Sequence, residues 1–425
     1  MLDDLQINIA GGLEFPLPRM ARVRQIFEDH ALADVGGAVT EQLQRPEIAE
    51  KIKPGAKIAV GVGSRGVNNI QEAVRAVVAG LKAQGAEPFI FPAMGSHGGG
   101  TEEGQIGVLE GYGITEDQVG APIRATMDTD IVAEMPDGTK LHVDRYANAA
   151  DGIVLINRIK PHTSFRGPIE SGICKMIIIG MGKIAGATSF HGGYGMDRFG
   201  EILPPAADMV RQNTKFLFGM GLVEDAFDHT AIVEAIPSET LMQREPELQA
   251  RAKELIAKLF FDDIDVLVVD EIGKEISGAG ADPNVTGGAA RGVAGFEKPR
   301  VKKMVMLDVT DATHGNACGI GTADVITQRL LSRVDFPVTY ANIVTSTYLE
   351  GGRIPIAMRN EQDAVRLAVK TLPGVDPADA RIVRIRNTLT LGEIMVSESM
   401  LDEVRKHDRM EILEEPSDMA YDTAA

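Results

Sequence analysis

Short apolar runs alternate with amphipathic stretches along the chain, and their spacing predicts strands and helices. Lys57–Val62 predicts a buried strand, and residues 88–92 predict a second one. Between them, residues 69–84 carry apolar side chains three and four positions apart, which indicates an amphipathic helix. The three elements predict a βαβ unit of a parallel sheet, with loops at the carboxyl ends of its strands.

The same alternation continues through the rest of the chain. Strands are predicted at 152–157, 263–270, 304–309 and 380–385, and helices at 245–258, 323–334 and 360–371. A chain of 425 residues exceeds the size at which one hydrophobic core keeps growing. We therefore predict an α/β protein: two α/β domains with mainly parallel sheets and an active-site cleft between them. The predicted domains are 1–260 and 261–396, and the tail 397–425 is expected either to pack back on the first or to fray.

Composition narrows the possible partners and the compartment. Charged residues make up 24% of the chain and its net charge is −18, which would repel nucleic acid and anionic membranes. Two cysteines, Cys174 and Cys318, are too few for a disulfide scaffold, and the first residues lack the features of a signal peptide. The apolar runs are shorter than the roughly 18 residues that a membrane span needs. We expect a cytoplasmic protein with neither nucleic acid nor membrane as a partner.

The loop after the first predicted strand contains Arg65 between Ser64 and Gly66. An arginine at the start of a helix, with Ser64 and free backbone N–H groups, is suited to a carboxylate or a phosphate. A purely structural glycine turn explains the loop equally well. Its spacing departs from the dinucleotide fingerprint, so we reject a conventional NAD site.

Four of the eight histidines lie in glycine-rich loops at predicted strand ends, namely His97, His162, His191 and His314. A loop histidine commonly bonds to backbone, and this explanation stays open for each of them. No closely spaced metal motif accompanies the histidines, so a metal held mainly by groups other than side chains fits better than a zinc cage.

Lys175 precedes the apolar residues 176–179. A lysine buried there would not easily keep its charge, so we expect it to be paired, neutral or covalently modified. We interpret it as a tether, and a structural ion pair is the competing explanation.

On these residues the chain resembles the nickel-pincer-nucleotide-dependent lactate racemase family and its 2-hydroxyacid racemase and epimerase relatives. The motifs that carry the resemblance are the His97 loop, Pro161-His162, the Ser-Gly-Xaa-Xaa-Lys sequence that ends at Lys175, and His191 sixteen residues later. The resemblance covers most of the chain.

The resemblance implies a racemase or epimerase that inverts C2 of a 2-hydroxy acid by hydride transfer. Its cofactor would be the pyridinium-3-thioamide-5-thiocarboxylic acid mononucleotide with Ni(II), loaded through transient contact with cofactor-synthesis enzymes. The implied site residues are Lys175 as the tether, His191 as the nickel ligand, His97 and His162 as acid and base, Ser64, Gly66 and Gly98 as cofactor contacts, and Arg65, Lys274 and Glu271 as substrate contacts. A homo-oligomer is also possible.

Two positions and the length of one segment depart from the family pattern. Val62 stands where the family has an acid, and the segment between His162 and Lys175 is longer, so Arg166 or Glu170 is expected to contact a longer substrate. Glu271 replaces a glutamine, which favours a polyhydroxy acid over a dicarboxylic acid.

Two other functions fit the same residues. Lys175 could form a Schiff base in a metal-free lyase or dehydratase acting on a sugar acid. Alternatively, the chain could be a non-catalytic sugar-acid binding homologue. The role of His314 stays open.

Overall fold

The computed structural model describes residues 9–63, 67–288, 294–346 and 348–421. Within them the chain divides into two compact units. One is the continuous segment Asp29–Ile256, and the other combines the chain up to Glu28 with the chain from Ala257 onward.

The strands, in chain order, are β1 (Met20–Gln25), β2 (Lys57–Val62), β3 (Glu87–Pro92), β4 (Thr129–Glu134), β5 (Lys140–Asp144), β6 (Gly152–Arg158), β7 (Phe216–Glu224), β8 (Thr230–Pro237), β9 (Asp263–Ile272), β10 (Arg300–Val309), β11 (Val325–Thr327), β12 (Ile356–Met358), β13 (Ile382–Ile385), β14 (Glu393–Ser397) and β15 (Met410–Ile412).

The helices are α1 (Val35–Gln44), α2 (Pro46–Ala49), α3 (Ile70–Ala83), α4 (Glu102–Gly111), α5 (Glu116–Val119), α6 (Arg145–Ala149), α7 (Ile173–Lys175), α8 (Lys183–Gly193), α9 (Phe199–Gln212), α10 (Leu241–Leu255), α11 (Pro283–Thr286), α12 (Gln328–Ser332), α13 (Phe336–Thr345), α14 (Glu361–Lys370) and α15 (Leu401–Lys406). One π-helical turn, Met176–Gly180, follows α7, and a short 3₁₀ turn, Gly98–Gly100, precedes α4.

The unit Asp29–Ile256 is built on a five-stranded sheet in the order β3-β2-β6-β7-β8. All neighbours are parallel except the edge pair β7 and β8. Along β2, Ala59 belongs to the core on one face, whereas Ile58 and Val60 belong to the core on the other. Burial on both faces explains why these strands are continuous apolar runs in the sequence.

Parallel strands place their carboxyl ends, and the loops that follow, at one edge of the sheet. The loop with His97 follows β3, and the loop with His162 follows β6. The fold therefore brings these two predicted site segments to the same edge.

The other unit contains an eight-stranded sheet in the order β12-β11-β10-β9-β13-β14-β1-β15. The first five strands in this order, from β12 through β11, β10 and β9 to β13, pair in parallel. The last three, β14, β1 and β15, are added by antiparallel pairing. The predicted α/β class with mainly parallel sheets is thus confirmed.

The N-terminal segment differs from the predicted continuous domain 1–260. Strand β1 alternates buried and exposed residues and pairs on one side with β14 and on the other with β15. It therefore belongs to the same unit as the C-terminal tail, which packs there too. Such long-range pairing leaves no local signal in the sequence.

Two predicted helices need correction. The helix predicted at 245–258 begins earlier, at Leu241, with Pro246 in its interior, because the buried Leu241 anchors an additional turn. Residues 323–334 were predicted as one helix, but the β-branched residues Val325–Thr327 form β11. The helix α12 starts only after Thr327, whose side chain accepts the Leu330 N–H as an N-cap.

Among the described residues, no single helix has both the length and the apolar composition needed to cross a membrane. The adjoining segments Ile173–Gly180 and Lys183–Gly193 have the required length and apolar composition only when they are taken together, and the chain bends by 102° between them.

Candidate functional site

The loop that carries His162 is closed at its base by backbone hydrogen bonds between Lys160 and Ser171. Inside it, the fully buried Glu170 accepts the His162 N–H at 2.7 Å and the Gly167 N–H at 3.3 Å. A carboxylate in the centre of the loop therefore fixes the backbone of His162.

Two cations neutralise Glu170. Lys253 Nζ lies 2.5 Å from Oε1, and Arg166 Nη1 lies 3.3 Å from Oε2. Because Glu170 has no exposed surface, the expectation that it contacts a substrate is wrong. Arg166 also donates to the His162 carbonyl at 3.0 Å, so it too shapes the loop.

The structure brings Lys175 and His162 together. Lys175 Nζ lies 2.6 Å from His162 Nε2, and both side chains are half-buried. The other ring nitrogen, Nδ1, accepts the Ser164 N–H at 3.0 Å. One partner of this lysine is thus an imidazole, a group that bears no full negative charge.

The backbone behind Lys175 is held by Glu245. Its fully buried carboxylate accepts the Cys174 N–H at 3.0 Å, at the start of α7. Burial raises the pKa of Glu245 to about 7. Gly172 lies so close that a Cβ there would be 2.0 Å from Oε1, so a side chain at this position would displace the carboxyl group.

His191 lies near the end of α8. Burial lowers the pKa of its imidazole to about 4. The ring is therefore neutral at neutral pH, which is the form that ligates a metal ion.

Two phenylalanine rings connect His162 with His191. Phe165 stacks on His162 with ring centroids 4.2 Å apart, and Phe199 lies 5.5 Å from Phe165 and 4.8 Å from His191. This row of rings places Lys175 and the two histidines in one cluster within the unit Asp29–Ile256.

The loop with the exposed His97 lies beside the π-helical turn that follows Lys175. The Gly95 N–H donates to the Gly180 carbonyl at 3.1 Å. Gln105 of α4 holds the loop from the other side, since its Nε2 donates to the carbonyls of Gly95 at 2.9 Å and His97 at 3.2 Å. Gly98, a predicted cofactor contact, is in the left-handed region with φ of +65°.

A second lysine, Lys183, is fully buried at the start of α8. Its Nζ lies 3.1 Å from both Asp144 Oδ2 and Gln105 Oε1, and it also donates to the Pro92 carbonyl. Burial lowers the pKa of Lys183 and raises that of Asp144. The contacts join the His97 loop and the end of β3 to the helix that carries His191.

The remaining predicted site residues fall into two groups. Ser64, Arg65 and Gly66 lie outside the described residues. Lys274 and Glu271 belong to the other unit, and their substrate contacts stay predictions.

The contacts of these two residues are made at the end of β9. Lys274 Nζ donates to the Gly278 carbonyl and to Asn342 Oδ1, each at 2.8 Å. Glu271 Oε1 accepts from Arg386 at 3.0 Å and from Asn387 at 2.8 Å. The exposed His314, in the same unit, has a φ of +49° and donates its N–H to the Asp311 carbonyl.

Asp29, Asp225 and His229 place potential metal ligands within 4.8 Å of one another. Both oxygens of the buried Asp225 already accept backbone N–H groups, one from His30 and the other from Phe227 and His229. These bonds explain the group as a turn, without a metal ion.

The fold has counterparts among solved structures. The lactate racemase apoprotein from Thermoanaerobacterium thermosaccharolyticum aligns with 87% of this chain and 99% of its own, with a TM-score of 0.55 and 14% identity. A protein from Thermotoga maritima aligns with 86% of this chain and 99% of its own, with a TM-score of 0.51 and 14% identity. The chain has a lactate racemase-like fold. No protein-family model and no curated protein sequence matches it.

Sequence reasoning missed three residues that organise the site in this lactate racemase-like fold: Lys183, Asp144 and Glu245. Lys183, like Lys175, lies beside an apolar run, and this pattern predicts an unusual lysine at both positions although we used it only for Lys175. Glu245 lies in a polar stretch of α10, and nothing in its neighbours indicates that it is buried.

Proposed function

We propose that the protein is a racemase or epimerase that inverts C2 of a 2-hydroxy acid by reversible hydride transfer to a nickel-pincer nucleotide. The observation that carries the proposal is the clustering of Lys175, His162 and His191 in one unit. The lactate racemase-like fold supports the same conclusion.

The residues present fit this cofactor. Lys175 is half-buried and ends in an amine that would hold the pincer ring through a thioamide. His191 offers a neutral imidazole nitrogen, which suits nickel. When bound, the cofactor would accept a hydride and return it.

His97 and His162 would move the proton of the substrate hydroxyl group. Loss of hydride from C2 requires a base for that proton, and each enantiomer presents its hydroxyl group on a different side. Imidazole suits both directions because its unperturbed pKa is near 6.5. The two histidines come from loops at one edge of the same sheet, so both could act on a substrate bound at that edge.

The test is to produce the full chain together with the cofactor-synthesis enzymes of a nickel-pincer pathway. Intact-mass and peptide analysis should find the cofactor on the peptide that contains Lys175, with nickel in the protein. A panel of 2-hydroxy acids, including polyhydroxy acids, should then include one whose C2 configuration is interconverted. Interconversion by protein that carries no added mass would contradict the proposal.

A variant separates the proton-transfer role of His97 from cofactor loading. Because His97 is exposed and would act only on the substrate, His97→Ala should slow interconversion by about 10²- to 10⁴-fold while the Lys175 peptide gains the full cofactor mass. The exposed His30, changed to alanine, is the matched control and should keep the wild-type rate. An unchanged rate in His97→Ala would remove this residue from the mechanism.

The contact between Lys175 and His162 also favours a second candidate, a metal-free Schiff-base lyase or dehydratase acting on a sugar acid. An amine next to an imidazole is suited to condensation with a keto group. Borohydride treatment in the presence of the substrate should leave a reduced adduct on Lys175 only if this second function holds.

A further inference from the structure

The hydrogen bonds of His162 determine which of its nitrogens carries the proton. Nδ1 accepts the Ser164 N–H at 3.0 Å, so Nδ1 presents a lone pair. A neutral imidazole has one N–H, which must then be on Nε2. A doubly protonated ring would instead point a donor at the Ser164 N–H.

The orientation of the ring is fixed from three sides. Phe165 stacks on it with an interplanar angle of 29°, Ser164 binds Nδ1, and Glu170 binds the His162 backbone N–H. A flip of the ring would put the carbon Cδ2 in the place of Nδ1 and break the bond from Ser164. The Nε2–H group is therefore held in place toward Lys175.

The amine of Lys175 must accept the hydrogen bond from this Nε2–H, at a distance of 2.6 Å. An ammonium group has three donors and no lone pair, so it cannot accept. The contact consequently requires a neutral amine. The neutral form of a lysine is also its nucleophilic form.

We propose that His162 keeps the amine of Lys175, the tether of the proposed racemase, in its neutral form, and that acylation of this amine releases His162 Nε2 from the lysine. The ligand class is an activated carboxyl or thiocarboxyl derivative. The nitrogen lone pair forms the bond to the acyl carbon, and the leaving group departs with the electron pair of the bond that breaks. The nitrogen loses one proton to the leaving group or to water.

The product nitrogen belongs to an amide, which retains one N–H and has no lone pair available to accept a hydrogen bond. His162 Nε2–H therefore loses the Lys175 lone pair as an acceptor once Lys175 is acylated. In the proposed racemase, on which this last step rests, loading the tether would at the same time free His162 for proton transfer. An unloaded chain would keep its acid-base group bound to the lysine.

The first experiment measures acetylation of the full, unloaded chain by acetic anhydride at pH 7, with rates for individual lysines obtained from peptide mass spectrometry. An ordinary exposed lysine is neutral in only about one molecule in 2,500 at this pH. Lys175, although half-buried, should react at least about tenfold faster than the exposed Lys298.

His162→Phe keeps an aromatic ring next to Phe165 but removes the donor. In this variant the rate at Lys175 should fall to that of Lys298 or below, whereas His229→Phe, a histidine exchange elsewhere in the same unit, should leave it unchanged. Equal rates at Lys175 and Lys298 in the wild-type chain, or an unchanged rate in His162→Phe, would overturn the proposal.

The second experiment follows the ring nitrogens of His162 by ¹⁵N NMR before and after acetylation of Lys175. The resonances should first show the Nε2–H form and then move as Nε2 loses its acceptor. An unchanged Nε2 resonance after complete acetylation would refute the release of His162. Neither experiment uses racemase activity, so failure of this inference and failure of the proposed function are distinguishable.

Discussion

Two lysines near the same apolar segment have different environments in the structure. Lys175 is half-buried with its amine at an imidazole, whereas Lys183 is fully buried with its amine at Asp144. A buried ion pair adds little to folding stability compared with apolar side chains of similar size. Loss of one partner is nevertheless strongly destabilising, because it leaves the other charge buried and uncompensated. Lys183 is therefore a structural residue, whereas Lys175 is the lysine that we propose as the tether.

Lys183→Met should lower the free energy of unfolding by about 3 kcal/mol, because it leaves the Asp144 carboxylate buried without its cation. Urea unfolding followed by circular dichroism measures the change. The φ of +54° at position 183 disfavours both side chains alike, so backbone strain is matched. The double variant Lys183→Met/Asp144→Leu should recover at least half of the loss, and a single variant as stable as the wild type would contradict the prediction.

Glu245 should make the stability of the protein depend on pH. Its pKa of about 7 in the folded chain exceeds the ordinary 4.5, so between these values the folded chain binds more protons than the unfolded chain. The free energy of unfolding therefore falls as the pH rises through this window, by about 3 kcal/mol.

Glu245→Gln should remove this contribution, which urea unfolding at pH 5 and pH 8 measures. The control is Glu247→Gln, an exposed position on the same helix, which should keep the wild-type pH dependence. The same pH dependence in both variants would show that Glu245 is not the responsible group.

At the scale of elements, the site is assembled from loops at one sheet edge and from one irregular helix. The π-helical turn Met176–Gly180 separates Lys175 from Lys183, and it also receives the Gly95 N–H from the His97 loop. A π-helical turn of this kind often accompanies a functional site. Here it lets one segment support Lys175, the His97 loop and the helix of His191.

Glycines in the His97 loop provide a matched comparison. Gly98 and Gly99 have the same φ of +65°, but a Cβ at Gly98 would lie 2.6 Å from Gln105 N, whereas a Cβ at Gly99 meets nothing within 4 Å. Both alanine variants should lose about 1 kcal/mol through the left-handed conformation. Only Gly98→Ala should in addition displace His97.

Thermal unfolding and the interconversion rate of the loaded enzyme check this prediction. Gly98→Ala should be the less stable variant and should lose at least about tenfold in rate, since a misplaced His97 would be an inefficient acid-base group in the proposed reaction. Gly99→Ala should stay near the wild-type rate. Equal effects of the two substitutions would show that the contact with Gln105 does not position the loop.

At the scale of the whole molecule, the segment Asp29–Ile256 interrupts the sequence of the other unit. In the sheet of that unit, the N-terminal strand β1 lies between β14 and β15. The residues before Glu28 therefore matter for the stability of a sheet whose other strands lie more than 200 positions away.

Removal of residues 1–25 should destabilise this sheet because β14 and β15 each lose their pairing with β1. Hydrogen exchange should become faster by about tenfold or more in β14 and β15. Strands β2, β3 and β6 of the other unit serve as the internal control and should keep their protection. Unchanged exchange in β14 and β15 would refute the structural role of β1.

Helices and strands could be predicted from the sequence where the pattern of neighbouring residues determines the element. The run Lys57–Val62 predicted β2 because a strand buried on both faces is a continuous apolar run. The spacing after residue 69 predicted α3 because a helix buried on one side has apolar residues three and four positions apart. Val325–Thr327 was misassigned because three β-branched residues beside a helix carry no signal about the strands that will pair with them.

The sequence by itself determined the α/β class, the apolar strands with their loop histidines, and Lys175 as an unusual lysine. Only the tertiary structure decided that His162 Nε2 meets this lysine, that Asp144 neutralises Lys183, and that Glu245 lies behind Cys174. Periodicity is a property of adjacent residues, so a single chain displays it. Which distant side chains meet, and how far burial shifts their protonation, depends on strand order and on packing that forms only when the chain folds.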